Sequence, residues 1–192
     1  MNDNSQNIEQ LDTNNNKNNK IKSELIGIIK TVVVAIVIAF IINNFILVNA
    51  VVPTGSMKNT IMPNDRIVAF RLSYLFSEPK RGDIIVFKAP DEKDILYVKR
   101  IIGLPGETVN IIDGKVYIND SQTPLEDSYI LEDMIGSFGP YVVPEDSYFM
   151  MGDNRNDSQD SRYWEHTFLP KDDILGKVIF KYYPKIENLI KK

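Results

Sequence analysis

Thr108-Val109-Asn110-Ile111-Ile112-Asp113-Gly114-Lys115-Val116-Tyr117-Ile118 is the stretch that decides the fold class. Two runs rich in β-branched and aromatic residues flank an Asp-Gly pair. Asp-Gly accepts the positive φ values of a type I′ turn, whose twist matches that of paired strands. The spacing therefore predicts an antiparallel hairpin. Similar runs lie on both sides of it: Arg66-Ile67-Val68-Ala69-Phe70, Asp83-Ile84-Ile85-Val86-Phe87, Tyr97-Val98-Lys99-Arg100-Ile101-Ile102, Ser147-Tyr148-Phe149-Met150-Met151, and a last run from Ile174 to Tyr182. Turn residues separate them, as in Lys80-Arg81-Gly82-Asp83, Gly103-Leu104-Pro105-Gly106 and Gly139-Pro140. Clear helical windows are missing from this part. The pattern predicts a mainly β domain of antiparallel strands, barrel-like or a sandwich, over residues 51–192. Residues 119–140 are polar and read as a long loop or small excursion.

The amino-terminal quarter is different. Residues 1–24 are polar, with eight Asn in the first twenty, and cannot bury enough apolar surface to offset chain entropy. A disordered tail is expected there. Residues 25–50 are apolar on all faces and long enough to cross a bilayer as a helix. Lys17, Lys20, Lys22 and Lys30 all precede the core of the run, so the positive-inside rule places the amino terminus in the cytoplasm and residues beyond 50 outside. A cleaved signal peptide ending at Val48-Asn49-Ala50 is the competing reading, but the run exceeds the 7–15 residues of such an apolar core. Asn43 and Asn44 sit awkwardly within it.

Composition closes several routes. The 192 residues contain no cysteine, which removes disulfides, thiol nucleophiles and Cys-ligated metals. One histidine, His166, excludes a His-rich metal site. A net charge of −4 argues against nucleic acid as a partner. No cofactor is called for, and a monomer is expected.

Against that background Val52-Pro53-Thr54-Gly55-Ser56-Met57, just past the apolar run, raises the question of a serine nucleophile. Its hydroxyl needs a base. His166 is one candidate, in the polar and aromatic run Trp164-Glu165-His166-Thr167, where a histidine is more often structural. Lys99 is the other. Strand alternation puts Tyr97, Lys99 and Ile101 on one face and Val98, Arg100 and Ile102 on the other. Burial on a partly apolar face would lower the lysine pKa; a solvated strand lysine is the alternative. A third stretch, Gly152 to Arg162, packs Gly, Asp, Asn, Arg and Ser directly after a strand. It reads as a rigid hydrogen-bonded loop and does not meet the calcium-loop pattern.

Taken together, these stretches resemble the type I signal peptidases, membrane-anchored Ser-Lys endopeptidases, in their compact Gram-positive form. The resemblance rests on Pro53-Thr54-Gly55-Ser56-Met57, Asn64-Asp65-Arg66-Ile67-Val68, Arg81-Gly82-Asp83, Tyr97-Val98-Lys99-Arg100 to Glu107, and Gly152-Asp153-Asn154-Arg155 to Ser161-Arg162, in order, over residues 25–183. It implies Ser56 as nucleophile and Lys99 as general base. It implies an oxyanion hole from the Ser56 N–H and the Thr54 hydroxyl, at a position where many members carry Ser. Ser158 would hydrogen-bond the Lys99 amine, Asp160 and Arg162 would pair, and Asp153 and Arg155 would hold the loop. The implied substrates are exported preproteins, cut after small residues of the Ala-X-Ala type at the membrane surface. Phe70, Leu72, Tyr74, Leu75 and Phe76 are nominated for a lipid-facing rim, with core burial as the competing reading. Two other functions fit less of the chain: a non-catalytic membrane-anchored β-domain for binding or assembly, or a soluble self-cleaving Ser-Lys peptidase.

Overall fold

The computed structural model describes residue 22 and residues 24–190, so nearly all of the polar tail lies outside the described residues. The chain divides into two compact units, Met1–Asn44 and Phe45–Lys192.

Helix α1, Glu24–Ile46, is long and apolar enough to cross a membrane. Its last turn, Ile42–Ile46, widens into a π-turn. The Asn44 side-chain amide donates to the Phe40 carbonyl at 2.8 Å, and the Thr31 hydroxyl donates to the Gly27 carbonyl at 3.0 Å. These side chains satisfy their donors on the helix itself, which is what lipid demands of a polar group.

The apolar run predicts a helix to residue 50, but the helix stops at Ile46. Leu47–Val51 is strand β1 instead, paired antiparallel with β2 (Arg66–Phe70) from Leu47↔Phe70 to Val51↔Arg66. The run changes period here: Val48 is buried and Asn49 exposed, the alternation of a strand with one face on a core. Helical and strand residues are equally apolar in this stretch, so hydropathy alone could not find the boundary.

The remaining strands follow: β3 (Ile84–Lys88), β4 (Leu96–Gly103), β5 (Thr108–Ile112), β6 (Lys115–Ile118), β7 (Phe138–Val142), β8 (Ser147–Met151), β9 (Leu169–Pro170), β10 (Ile174–Tyr183) and β11 (Glu187–Asn188). The main sheet runs β1-β2-β10-β3-β4-β8-β9, with β11 paired onto β10, and a smaller sheet runs β6-β5-β7. The mainly β, antiparallel architecture read from the sequence is present. The Asp113-Gly114 hairpin forms with φ of +48° and +76°, and pairs Ile112 with Lys115. Gly114 is also required by space, since a Cβ there would stand 1.9 Å from the Met134 carbonyl oxygen. The end of the polar excursion differs from expectation: Phe138–Val142 pairs with β5 as an edge strand, where Pro140 can sit without breaking a central ladder.

Three apolar clusters hold the unit together. Val48, Met57, Ile61, Ile67, Ile84 and Val178 form one, under β1 and β2. Ile102, Val109, Ile111 and Phe149 join the small sheet to the main one. Ile85, Phe87, Ile101, Tyr148 and Trp164 form the third. The nominated rim splits: Tyr74 packs inward and donates to Asp83 at 2.9 Å, whereas Leu75 is 65% and Phe76 96% exposed.

Near the Ser56 loop, β1 and part of β4 lack a strand partner on one side among the described residues. Among the described residues β1 pairs with β2 alone, on one side. β4 pairs with β3 over Leu96–Arg100 but reaches β8 only from Arg100 onward, so Leu96, Tyr97, Val98 and Lys99 keep one side without a strand partner.

Candidate active site

Ser56 sits in the loop after β1. The Val52 N–H donates to the Asp65 carbonyl and the Asn64 N–H to the Val52 carbonyl, tying both ends of the loop together. A tight turn follows, with the Thr60 and Ile61 N–H groups donating to the Met57 carbonyl. Met57 and Ile61 are fully buried in the core below, so the residue next to Ser56 is pinned by packing. The loop after β8 holds the other side. The Asn154 N–H donates to the Ser56 carbonyl and the Asn154 side-chain amide to the Gly55 carbonyl, both at 3.0 Å. Gly152 makes this approach feasible, because a Cβ there would lie 2.4 Å from the Ser56 carbonyl oxygen.

Lys99 comes from β4, opposite Ile85 of β3. Its side chain passes over the Tyr97 ring, with Nζ 5.2 Å from the ring centre, and ends 2.7 Å from the Ser56 hydroxyl oxygen. Lys99 is 4% and Ser56 8% exposed. Burial lowers the Lys99 pKa to about 8, against the opposing pull of Asp160 and Asp153. A minority of the amine is therefore neutral near physiological pH, far more than for a solvated lysine, and that form can accept the serine proton. The desolvated lysine that alternation allowed is the one observed.

Both side chains open into a cleft of about 550 Å³, with walls from the Asn49-to-Ser56 segment, Val86, and the Ile95-to-Lys99 segment. Thr54 lies in the same wall, with its side chain exposed. His166 is elsewhere. Its Nδ1 lies 2.9 Å from Asp91 on the exposed surface, whereas the Lys99 amine lies against the Ser56 hydroxyl.

The support residues are buried ion pairs. Arg162 grips Asp160 through Nε and Nη2, each at 2.8 Å, and Asp160 also accepts the Gly152 N–H. Asp153 is gripped by Arg100 at 2.8 and 2.6 Å and accepts the Thr60 hydroxyl at 2.5 Å. Arg155 donates to Asp127 and to the Tyr129 hydroxyl. One expected contact is not made. The Ser158 hydroxyl is buried without a hydrogen-bond partner among the described residues, and the Lys99 amine is directed at Ser56 instead. Ser158 packs against Gly152, where a Cβ would meet its Oγ at 2.3 Å.

Asn154 and Arg100 lie inside the motifs, and Thr60 between two of them, but local pattern assigns them no role; only the folded loops show them clamping the serine segment. Asp127 and Tyr129 carry no sequence signal, since they lie in the polar excursion.

A buried serine hydroxyl hydrogen-bonded to a desolvated lysine, at the floor of a partly apolar cleft, is the equipment of a serine hydrolase that works by acyl transfer. A family model described as "Signal peptidase, peptidase S26" matches residues 25–183, and the chain belongs to that family of serine peptidases. Signal peptidase I of Leptolyngbya laminosa is 38% identical over 172 residues, spanning 86% of this chain and 83% of that one. A signal peptidase I P of Bacillus subtilis subsp. natto is 37% identical over 175 residues, spanning 86% and 92%. A solved structure of a signal peptidase I from Enterococcus faecalis V583 is 34% identical and aligns over 53% of this chain and 97% of that one, with a TM-score of 0.46. With α1, the family match and the two sequence relatives fit a membrane-anchored peptidase.

Proposed function

We propose that this protein removes amino-terminal signal peptides from exported preproteins, cutting after small residues through an acyl-enzyme formed on Ser56. The observation that carries the proposal is the 2.7 Å hydrogen bond between buried Lys99 and Ser56 at the floor of the cleft. Neutral Lys99 takes the Ser56 proton as the hydroxyl oxygen attacks the scissile carbonyl. The lysine then returns the proton to the leaving amine, and a water activated by the same amine hydrolyses the ester. The Ser56 N–H and the Thr54 hydroxyl receive the developing oxyanion.

The substrate lies extended between the open edges of β1 and β4, adding backbone hydrogen bonds to both, with alternate side chains pointing into the cleft. The apolar lining from Ala50, Val52, Val86 and Val98 favours small apolar side chains there. The amino terminus lies in the cytoplasm and the catalytic unit on the extracytoplasmic face, because Lys17, Lys20, Lys22 and Lys30 all precede the apolar core of α1. Ser56 follows the end of α1 by ten residues. Cleavage therefore takes place close to the bilayer, where a signal peptide's apolar core is still in lipid. Leu75 and Phe76, apolar and exposed, support a lipid-facing rim.

The direct test is cleavage of a purified preprotein bearing an Ala-X-Ala site by the full chain in detergent, with Ser56→Ala and Lys99→Ala alongside. Cleavage by the parent and by neither variant is expected. Parent-level turnover in Lys99→Ala would overturn the mechanism.

A further inference from the structure

We propose that Tyr129, from the polar excursion, is a positioning residue of the active site: its ring covers the Arg100 guanidinium and its hydroxyl ties down Arg155, holding the Arg100–Asp153 pair that fixes the Ser56 loop. This rests on Ser56 and Lys99 acting as nucleophile and base. Arg100 is 1% exposed, and its N–H groups reach Asp153 and the Gly82 carbonyl. The face of its planar cation is met by the Tyr129 ring, 3.9 Å from Cζ to ring centre. A ring face is electron-rich and holds a guanidinium while keeping water off it. Arg155 approaches the same ring, with Cζ 5.6 Å away, and donates to the Tyr129 hydroxyl at 3.0 Å and to Asp127 at 2.9 Å.

The consequence passes through two residues. Asp153 immediately precedes Asn154, whose N–H and side-chain amide hold the Ser56 and Gly55 carbonyls. Asp153 is also one of the charges around Lys99, which faces Ser56 from the loop after β1, the Tyr97 ring on its own strand, and Asp153 and Asp160 from the loop after β8. Loosening Arg100 leaves Asp153 less compensated and the Lys99 ammonium correspondingly favoured. The excursion thus braces the catalytic pair from outside any of the motifs that contain it.

The test compares Tyr129→Phe and Tyr129→Ala in full-length protein, measuring kcat, KM and the pH profile of preprotein cleavage, with thermal midpoints as the folding control. Tyr129→Phe keeps the stacked ring and should stay within about threefold of the parent. Tyr129→Ala should lose roughly tenfold or more in kcat, with KM nearly unchanged and the acid limb moved to higher pH. If Tyr129→Ala does not fold, Tyr129→Leu is read in its place, since it fills the space without an aromatic face. Parent-like kcat and pH profile in the alanine or leucine variant would overturn the proposal, as would Tyr129→Phe behaving like Tyr129→Ala. Parent activity abolished by Ser56→Ala keeps the catalytic reading separate from either result.

Discussion

Lys99 and Arg100 are neighbours on one strand, both cationic in water and both buried, yet the fold treats them in opposite ways. Arg100 meets a bidentate carboxylate, Asp153, and stays an ion. Lys99, on the other face, meets a hydroxyl, an aromatic ring and the apolar mouth of the cleft, and none of the described carboxylates pairs with it directly. A buried cation with a partner becomes scaffold. A buried cation without one releases its proton more easily and becomes a base. Strand alternation alone separates the two roles by a single peptide unit.

Breaking the catalytic side of this contrast should have the largest effect. Ser56→Ala and Lys99→Met should each lower kcat by about 10⁴-fold or more, read in a preprotein cleavage assay. Thr54→Val removes one proposed oxyanion donor and should cost on the order of 10²–10³ in turnover with the fold intact. A smaller loss would show that the Ser56 N–H acts without it. Breaking the scaffold side should act on stability. Asp153→Asn leaves Arg100 buried without its counter-charge and should destabilise by about 3–5 kcal/mol, measured by denaturant unfolding.

The proton on Lys99 sharpens the contrast further. In the proposed mechanism the neutral amine is the working form, so log kcat/KM should rise with unit slope up to pH about 8 and then level off. A limb near pH 6.5 would point to a histidine instead. The sign for stability follows from the same lowering. The unfolded lysine binds its proton more tightly than the folded one, so this residue costs stability below pH about 8, and that cost fades as the pH rises toward 10. Lys99→Met should therefore raise the thermal midpoint at pH 7 while abolishing activity. The smallest expected effect is that of His166→Ala, which breaks only an exposed contact with Asp91 and should leave turnover within about twofold.

Much of this was legible in the chain because the signals were local. The Asp113-Gly114 turn, the alternation around Lys99 and the β-branched runs each depend on residues close in sequence, and those strands form close to where the pattern predicts them. Other features left weaker traces. The end of α1 was hidden because helix and strand are equally apolar across residues 42–51. β7 was hidden by its glycine and proline. β9 and β11 are two residues each, too short for any period to show.

The sequence by itself determined the anchor, the strand-rich domain behind it and the residues worth suspecting, since composition, period and motif order are properties of the chain alone. Only the tertiary structure decided that Lys99 and Ser56, 43 residues apart, meet at 2.7 Å. It also decided that the Ser158 hydroxyl makes no hydrogen bond to the Lys99 amine, that His166 lies on the surface, and that Tyr129 reaches the site's scaffold. Those outcomes turn on burial and on which charges face one another across the sheet. Neither exists until distant segments are brought into contact, and it is burial that lowers the Lys99 pKa.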